Sequence, residues 1–441
     1  MTPPGLIIAA PASGSGKTTV ALGLARALAR CRTVVAPFKV GPDYIDPAFH
    51  SAAAGRPCRN LDSWAMRPET LAGLRYSASG SDLVLCEGVM GLFDGALIAD
   101  GGPDGSTADI AELTGWPVIM VIDARAMAGS AAAVLRGFAQ HRAGVRVAGV
   151  IFNRVGAASH AETLKCSASI ACPEIKILGC LPREESLILP ERHLGLVQAV
   201  EHGDLGAFLD KAADFMEAHL DLDGLRGLAS QGKANGLSGL ATPIAPLGSR
   251  IAIAKDQAFA FAYPAILEGW RAQGAELSFF SPLADQAPDA QADAIYLPGG
   301  YPELHAGKLA NNRIFQAGMG AAAKRGAMIF GECGGYMSLG QELIDKDGRS
   351  HAMLGLLPLI TDFSKRKLHL GYRQARLLAA GPLGQVGANF RGHEFHYATI
   401  HSEAKGQSLF AISNASGQDM GAAGLSIGNI CGSFIHLIDR V

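Results

Sequence analysis

Short apolar runs recur along the 441-residue chain, each followed by a longer stretch whose apolar positions fall three and four apart. In the first half the runs are Leu6–Ala10, Thr33–Phe38, Asp82–Cys86, Val118–Asp123, Val147–Phe152 and Ile175–Leu178. Between them lie Ala-rich stretches such as Thr18–Arg30 and Gly129–His141, with helical spacing. The runs are continuously apolar rather than alternating, which is the pattern of strands covered by helices on both faces. Strand and helix signals in alternation predict βαβ units around a mostly parallel sheet. The pattern breaks at LASQGKANGLSGLATPIAPLGS, which ends at Ser249 and reads as a linker. It then resumes with Arg250–Ala254, Glu276–Phe280, Ala294–Pro298 and Ala327–Phe330. The expected architecture is α/β: two doubly wound, mostly parallel-sheet domains over residues 1–225 and 250–441, joined by a linker at 226–249.

Composition narrows the classes of function. Apolar residues make up 49% and charged residues 18%, so large cores are available. The formal charge of −2 and the lack of a basic run argue against a nucleic-acid partner. No apolar stretch reaches the roughly 18 residues of a membrane span. The N-terminal MTPPGLIIAAPASGSGK lacks a basic n-region, so a signal peptide is not expected. The eight cysteines are scattered without Cys-x-x-Cys, which predicts neither a disulfide framework nor a zinc knuckle. The expected setting is cytoplasmic.

Two stretches carry chemistry. The first strand runs into Ala10-Pro-Ala-Ser13-Gly14-Ser15-Gly16-Lys17-Thr18-Thr19. Glycines at 14 and 16 let backbone N–H groups and a helix N-terminus face a phosphate. Lys17 would reach the β- and γ-phosphates of ATP, and the Thr18 hydroxyl would meet Mg²⁺. Pro11 stands where such loops usually begin with glycine. Acidic groups follow two strand ends: Glu87 and Asp94 after one, Asp43 and Asp46 after the other. Each alone could be a turn or cap residue; together they favour Mg²⁺ and substrate-carboxylate handling at the sheet edge where such folds bind ligands. Asp123 also ends a strand, as a helix cap or behind the metal. Asn153 ends another, where its amide offers a nucleobase edge both a donor and an acceptor, unless it only forms the turn.

The second stretch is Gly331-Glu-Cys333-Gly334-Gly335, at a strand-to-helix junction. A tight glycine turn of this form projects a nucleophile and turns backbone N–H groups toward an oxyanion. Gly334 is one expected donor and Gly300, in Pro298-Gly-Gly300-Tyr-Pro302, a second. A thiol nucleophile needs a base. His351, His369, His393, His396, His401 and His436 all follow Cys333, and spacing alone leaves the choice open. His393 and His396 are three apart rather than four, so they do not form a His-Glu-x-x-His zinc motif; packing or substrate positioning is the expectation there.

With these residues in place, the chain resembles the cobyrinic acid and hydrogenobyrinic acid a,c-diamide synthases of cobalamin biosynthesis. KVGPDYIDPAFH, EGVMGLFDG, PGGYPELHA and GECGGYMSLG carry the resemblance, which covers nearly the whole chain. It implies a dethiobiotin-synthetase-type P-loop half followed by a class I glutamine amidotransferase half. It assigns the base to His436, paired with Cys333 as a dyad, because Leu437 and Ile438 stand where common triads carry Pro-Glu. It implies ATP at Gly14, Ser15, Gly16, Lys17, Thr18, Thr19 and Asn153, and Mg²⁺ at Thr18, Asp43 and Glu87. Tyr44, Ile45, Asp46 and Asp94 would line the region that receives a corrin polycarboxylate. The implied reaction amidates the a- and c-acetates of hydrogenobyrinic acid through acyl phosphates, with ammonia from L-glutamine. Cobyrinic acid as substrate, cobyric acid synthase, an amidoligase for another tetrapyrrole or a cell-wall precursor, and a regulatory P-loop ATPase are the alternatives; the elbow at Cys333 counts against the last. A homodimer is the expected assembly.

Overall fold

The computed structural model describes residues 3–99, 101–192, 195–196, 198–201, 203–233, 239–403 and 408–441. The chain divides into two compact units. The first is Met1–Trp64, Leu71–Ala96 and Gly101–Gly239; the second is Ala65–Thr70, Leu97–Asp100 and Leu240–Val441. Part of the stretch expected as a linker, 234–238, lies outside the described residues. On one side of that gap, Ser230 pairs with Gly5 and the Lys233 N–H donates to Thr114 O. On the other, the Trp270 indole N–H donates to Ala245 O.

In chain order the first unit contains β1 (Gly5–Ala9), α1 (Lys17–Arg30), β2 (Val35–Val40), α2 (Asp46–Ala54), β3 (Arg59–Leu61), all but the first three residues of α3 (Pro68–Tyr76), β4 (Leu83–Glu87) and α4 (Thr107–Thr114). It continues with β5 (Val118–Asp123), α5 (Ser130–Gln140), β6 (Val147–Val155), α6 (Ala158–Ala171), β7 (Lys176–Pro182), a short ribbon of β8 (Glu191–Arg192) and β9 (Gly195–Leu196), α7 (Leu205–His219) and α8 (Leu222–Leu228). Seven strands form one parallel sheet in the order β3-β2-β4-β1-β5-β6-β7. β1, β2 and β4 are buried along their whole length, as their unbroken apolar runs require. The chain crosses β1 between β4 and β5, so the β1, β2 and β4 C-termini meet at one edge beside the reversal of strand order.

The second unit contains β10 (Arg250–Ala254), α9 (Pro264–Ala272), β11 (Glu276–Phe280), β12 (Ala294–Leu297), α10 (Ala306–Asn311), α11 (Arg313–Lys324), β13 (Met328–Glu332), α12 (Gly334–Leu339), β14 (Glu342–Ile344), β15 (Ser350–Ala352) and β16 (Leu359–Asp362). After these come β17 (His369–Leu377), β18 (Asn389–His396), β19 (Thr399–Glu403), β20 (Ser408–Asn414), β21 (Asp419–Ile427), β22 (Ile430–Ser433) and β23 (His436–Arg440). The main sheet runs β11-β10-β12-β13-β22-β21-β20-β17-β18-β23. Its first five strands are parallel: the four runs that the sequence pattern predicts and β22, which it does not; from β22 to β23 the pairing is antiparallel. The antiparallel half escapes a search for apolar runs because β17 and β18 each leave part of one face open, so buried and exposed residues interleave.

Helix α1 comes closest to α7 at Gly23. A Cβ there would lie 2.7 Å from Met216 Cγ and 2.8 Å from Ala212 O. Gly23→Leu should therefore force the helices apart and lower stability by about 1–3 kcal/mol, read as a lower urea midpoint at constant m-value. Gly137→Ala in α5, where the added methyl meets open space, should leave the midpoint unchanged or raise it.

Candidate functional site

The first unit's centre grows from three adjacent strand ends. Glu87 closes β4 and is in register with Ile8 of β1 on one side and Lys39 of β2 on the other. Its carboxylate is buried and receives four partners. Thr18 Oγ1 donates to Oε1 at 2.6 Å and Lys17 Nζ to the same oxygen at 3.1 Å. Lys39 Nζ lies 3.1 Å and His50 Nε2 2.5 Å from Oε2. Burial alone would raise the carboxyl's pKa, but Lys39, Lys17 and His50 hold it well below the usual range. Lys39 is itself buried, 2.7 Å from Asp46 Oδ2 and 4.0 Å from Asp43 Oδ2. Burial works against its charge, yet Asp46, Glu87 and Asp43 outweigh that and keep the ammonium firmly protonated.

Of the residues expected at this site, the structure gathers Lys17, Thr18, Glu87, Asp43 and Asp46 into one network. Lys39 and His50 complete it, and the sequence reading passed over both. A lysine directly after an apolar strand run, with aspartates four and seven positions on, was the available signal. Asp43 Oδ1 caps the turn into α2, accepting from the Ile45 and Asp46 N–H groups at 2.8 and 3.1 Å. Tyr44 and Ile45 are buried. Asp94 stands apart from the network: it is exposed and accepts from the Gly91 N–H at 2.8 Å. That turn packs on the phosphate loop, where the Leu92 N–H donates to Ala10 O.

The phosphate loop turns on Gly14 and Gly16, at φ +76° and +85°. Gly16 precedes α1 without a side-chain cap, and the first helical turn has no acidic residue, so the helix N-terminus is left for an external anion. Ser15 Oγ donates to Ala12 O. Thr19 Oγ1 donates to Leu187 O at 3.3 Å. Asn153 Nδ2 donates to Ser15 O at 2.9 Å and its Oδ1 accepts the Arg154 N–H. Arg154 bonds Gly14 O and also Asp123, which is gripped from its other side by Arg125. Asn153 and Arg154 thus brace the loop from behind. A cavity of about 220 Å³ beside it is lined by Lys17, Thr18, Asn153, Leu187 and Phe215 among others.

The second unit's centre is the turn from β13 into α12. Cys333 has φ +48° and ψ −106°, a conformation that costs a non-glycine residue of order 1–3 kcal/mol. It is held there by its N–H to Ser433 O at 2.8 Å and by its carbonyl, which accepts the Met337 N–H at 3.0 Å. His436, at the start of β23, meets it across Gly299. A Cβ on Gly299 would lie 2.9 Å from His436 Nε2 and 3.3 Å from Cys333 Cβ, so thiol and imidazole share one small space. A Cβ on Gly334 would lie 3.0 Å from Gly300 N, which brings the two expected oxyanion donors together. Burial pushes the Cys333 thiol up, and the Glu303 carboxylate adds to this. Burial likewise lowers His436 to about 3, with His393 and His396 adding to the effect.

The other histidines separate. His393 is the register partner of His436. His369 stacks on His396 at 4.7 Å, and their donor atoms lie with those of Glu394 within 4.8 Å of one another. That is a candidate metal-ligating group, but Arg373 Nε already sits 2.7 Å from Glu394 Oε2 and supplies the positive charge. Burial would raise Glu394; His396 and Arg373 instead hold it at about 2. His351 pairs with Asp345. The sequence reading missed Glu332, buried beside Cys333: its Oε2 accepts the Tyr296 hydroxyl at 2.6 Å and its Oε1 the Leu437 N–H at 3.0 Å.

Residues 6–197 match the family model described as a CobQ/CobB/MinD/ParA nucleotide binding domain. Residues 250–440 match that of a CobB/CobQ-like glutamine amidotransferase domain. Hydrogenobyrinate a,c-diamide synthase of Brucella anthropi is 54% identical over 437 residues, covering 99% of this chain and 98% of its own. The proteins of that name in Rhizobium meliloti and Rhodobacter capsulatus are 53% and 51% identical, each over 99% of both chains.

Burial and Asp46 raise the Asp43 carboxyl from 3.8 to about 7. A raised pKa means that folding takes up a proton, so the stabilisation is complete below about pH 4 and lost as pH rises through about 7. Asp43→Asn keeps the capping oxygen but not the titration. Its stability relative to wild type should improve as pH rises from about 4 to 8, read from urea unfolding at several pH values; a flat difference would contradict the raised carboxyl.

Proposed function

The chain belongs to the hydrogenobyrinate a,c-diamide synthase family, and we propose that it amidates the a- and c-acetates of hydrogenobyrinic acid, with ATP activating each carboxylate and glutamine supplying ammonia. One observation carries the reading: a phosphate loop backed by Lys17, Lys39 and Glu87 and a strained Cys333 elbow beside His436 occur in one chain. The relatives' names favour the cobalt-free macrocycle over cobyrinic acid. The reading includes a cytoplasmic setting, where ATP and glutamine are supplied.

A free carboxylate is a poor electrophile, so the acetate has to be activated. Its oxygen attacks the γ-phosphorus of ATP, the O–P bond to ADP breaks, and an acyl phosphate forms. The first turn of α1 faces the phosphates, and Lys17 reaches the β- and γ-oxygens. Lys39 is positioned to meet the charge that develops on the phosphoryl group, because it is already held among carboxylates at the same edge. The donors present fit a small hard cation: the Thr18 hydroxyl and Glu87 carboxylate lie 2.6 Å apart with Asp43 in the same network. Mg²⁺ held by Thr18, Glu87 and Asp43 would neutralise the phosphate oxygens. Asp94, exposed on the loop packed against the phosphate loop, is placed to meet the macrocycle. Asp46, Tyr44 and Ile45 shape that region from within. Asn153 contributes to ATP binding by bracing the loop.

In the second unit Cys333 attacks the glutamine amide, with His436 taking the thiol proton and returning it to the departing ammonia. Water then clears the thioester as glutamate. The N–H groups near Gly300 and Gly334 receive the oxyanion. Burial raises the thiol's pKa, and the nearby Glu303 and Glu394 carboxylates add to this; with Arg373 they are the charged groups offered to the α-ammonium and α-carboxylate of glutamine.

The test is incubation with hydrogenobyrinic or cobyrinic acid, ATP and either glutamine or ammonium, followed by mass spectrometry. The wild type should add two amides to hydrogenobyrinic acid from either nitrogen source. Cys333→Ala should lose glutamine-driven synthesis and keep ammonium-driven synthesis; loss of both would make Cys333 structural. Lys39→Met should reduce amidation from both sources by about 100-fold or more while glutamate release persists, on the scale of removing one preorganised charge.

A further inference from the structure

His436 is fully buried and easily loses its charge there. It can take the thiol proton only where a neighbour meets the positive charge it gains. The usual source, a carboxylate two residues further on, is absent, since Leu437 and Ile438 follow. Asp439 of the same strand is engaged elsewhere within the second unit. Arg67 donates its backbone N–H to Oδ2 at 2.9 Å and its guanidinium to Oδ1 at 3.1 and 2.9 Å.

Glu332 approaches from the other side, as the last residue of β13. Its side chain is buried, with Oε2 4.0 Å from His436 Nδ1. The other oxygen accepts the N–H of Leu437, the peptide directly after the histidine. The Cε1–Nε2 edge of the ring lines the space at Gly299, where an added Cβ would lie 2.9 Å from Nε2 and 3.3 Å from Cys333 Cβ. The imidazole therefore has Nδ1 toward the carboxyl and its Cε1–Nε2 edge on the space it shares with Cys333 at Gly299. At 4.0 Å the contact is an ion-pair distance, not a hydrogen bond.

We propose that Glu332 is a positioning residue for the glutaminase: it fixes His436 through the Leu437 peptide and stabilises the imidazolium from the Nδ1 side. The inference rests on reading Cys333 as the glutaminase nucleophile. The proton passes from Sγ to Nε2, the thiolate forms a C–S bond to the glutamine amide carbon, and the carbonyl electrons move to oxygen. When they return, the C–N bond breaks and the imidazolium gives its proton to the leaving ammonia. Glu332 stays a carboxylate throughout, so no proton is gained or lost.

Burial raises the Glu332 carboxyl to about 7, against the opposing hydrogen bonds from Tyr296 and the Leu437 N–H. The charged form is thus reached as pH passes through neutrality. The groups around this pair are Cys333, Tyr296 of β12, Glu303, Arg373 of β17, and His393, Glu394 and His396 of β18.

Glutamate release is measured against pH for wild type, Glu332→Gln and Tyr296→Phe. The wild-type kcat/KM should rise through a limb near pH 7. Glu332→Gln should lose about 100-fold or more in kcat, with glutamine KM within about threefold, and should lack that limb. Tyr296→Phe removes a donor to the charged form, so its limb should move to higher pH, with activity recovering there. Wild-type kcat in Glu332→Gln, or a limb that neither variant moves, overturns the proposal. If Glu332→Gln fails to fold, as thermal unfolding would reveal, the Tyr296→Phe limb decides alone. A wild type that releases no glutamate overturns the nucleophile reading beneath it instead.

Discussion

A charge taken out of water has to be met by an opposite one, and the first centre of this chain is built on a carboxylate in that position. Glu87 is buried at a strand end, which would be untenable without Lys17, Lys39 and His50 around it. Lys39 in turn is buried only because Asp43, Asp46 and Glu87 surround it. The order β2-β4-β1 makes this possible, because it sets the ends of three strands about one strand spacing apart. A phosphate-bearing ligand therefore meets a site whose charges are already in place, with little left to reorganise.

The second centre stores its constraint in the backbone. Cys333 is kept at positive φ by its bonds to Ser433 and Met337, and the neighbouring strands offer it no room to relax. Gly299 and Gly335 are the reason these groups can approach so closely. A methyl on Gly299 would displace the imidazole, and one on Gly335 would run into the Leu297 backbone. Strain and close packing here serve the same end, a thiol and an imidazole fixed in one small buried space.

The parts of the fold legible in advance were those whose signal is local. Unbroken apolar runs marked β1, β2, β4, β5, β6, β7 and β10 to β13. The antiparallel extension was not visible, because β17, β18 and β21 interleave buried and exposed residues and are paired across long separations. The same division holds at the sites. The phosphate loop and the Cys333 elbow announce themselves in a few consecutive residues. Glu332 does not, since it meets His436, a neighbour far away in the chain, and Lys39 only in part, since Asp43 and Asp46 lie close in sequence but Glu87 does not.

Thus the residue pattern alone determined the α/β class, the phosphate loop, the elbow and the carboxylates that follow two strand ends. Each of these depends on contacts within about one strand and turn. Tertiary structure decided how those pieces meet: His436 beside Cys333, Asn153 bonded to the phosphate loop at Ser15, and Asp439 held by Arg67. It also placed Glu332 against the histidine's far nitrogen. Electrostatic partners are chosen by distance in space, and strand order, which no local pattern encodes, sets that distance.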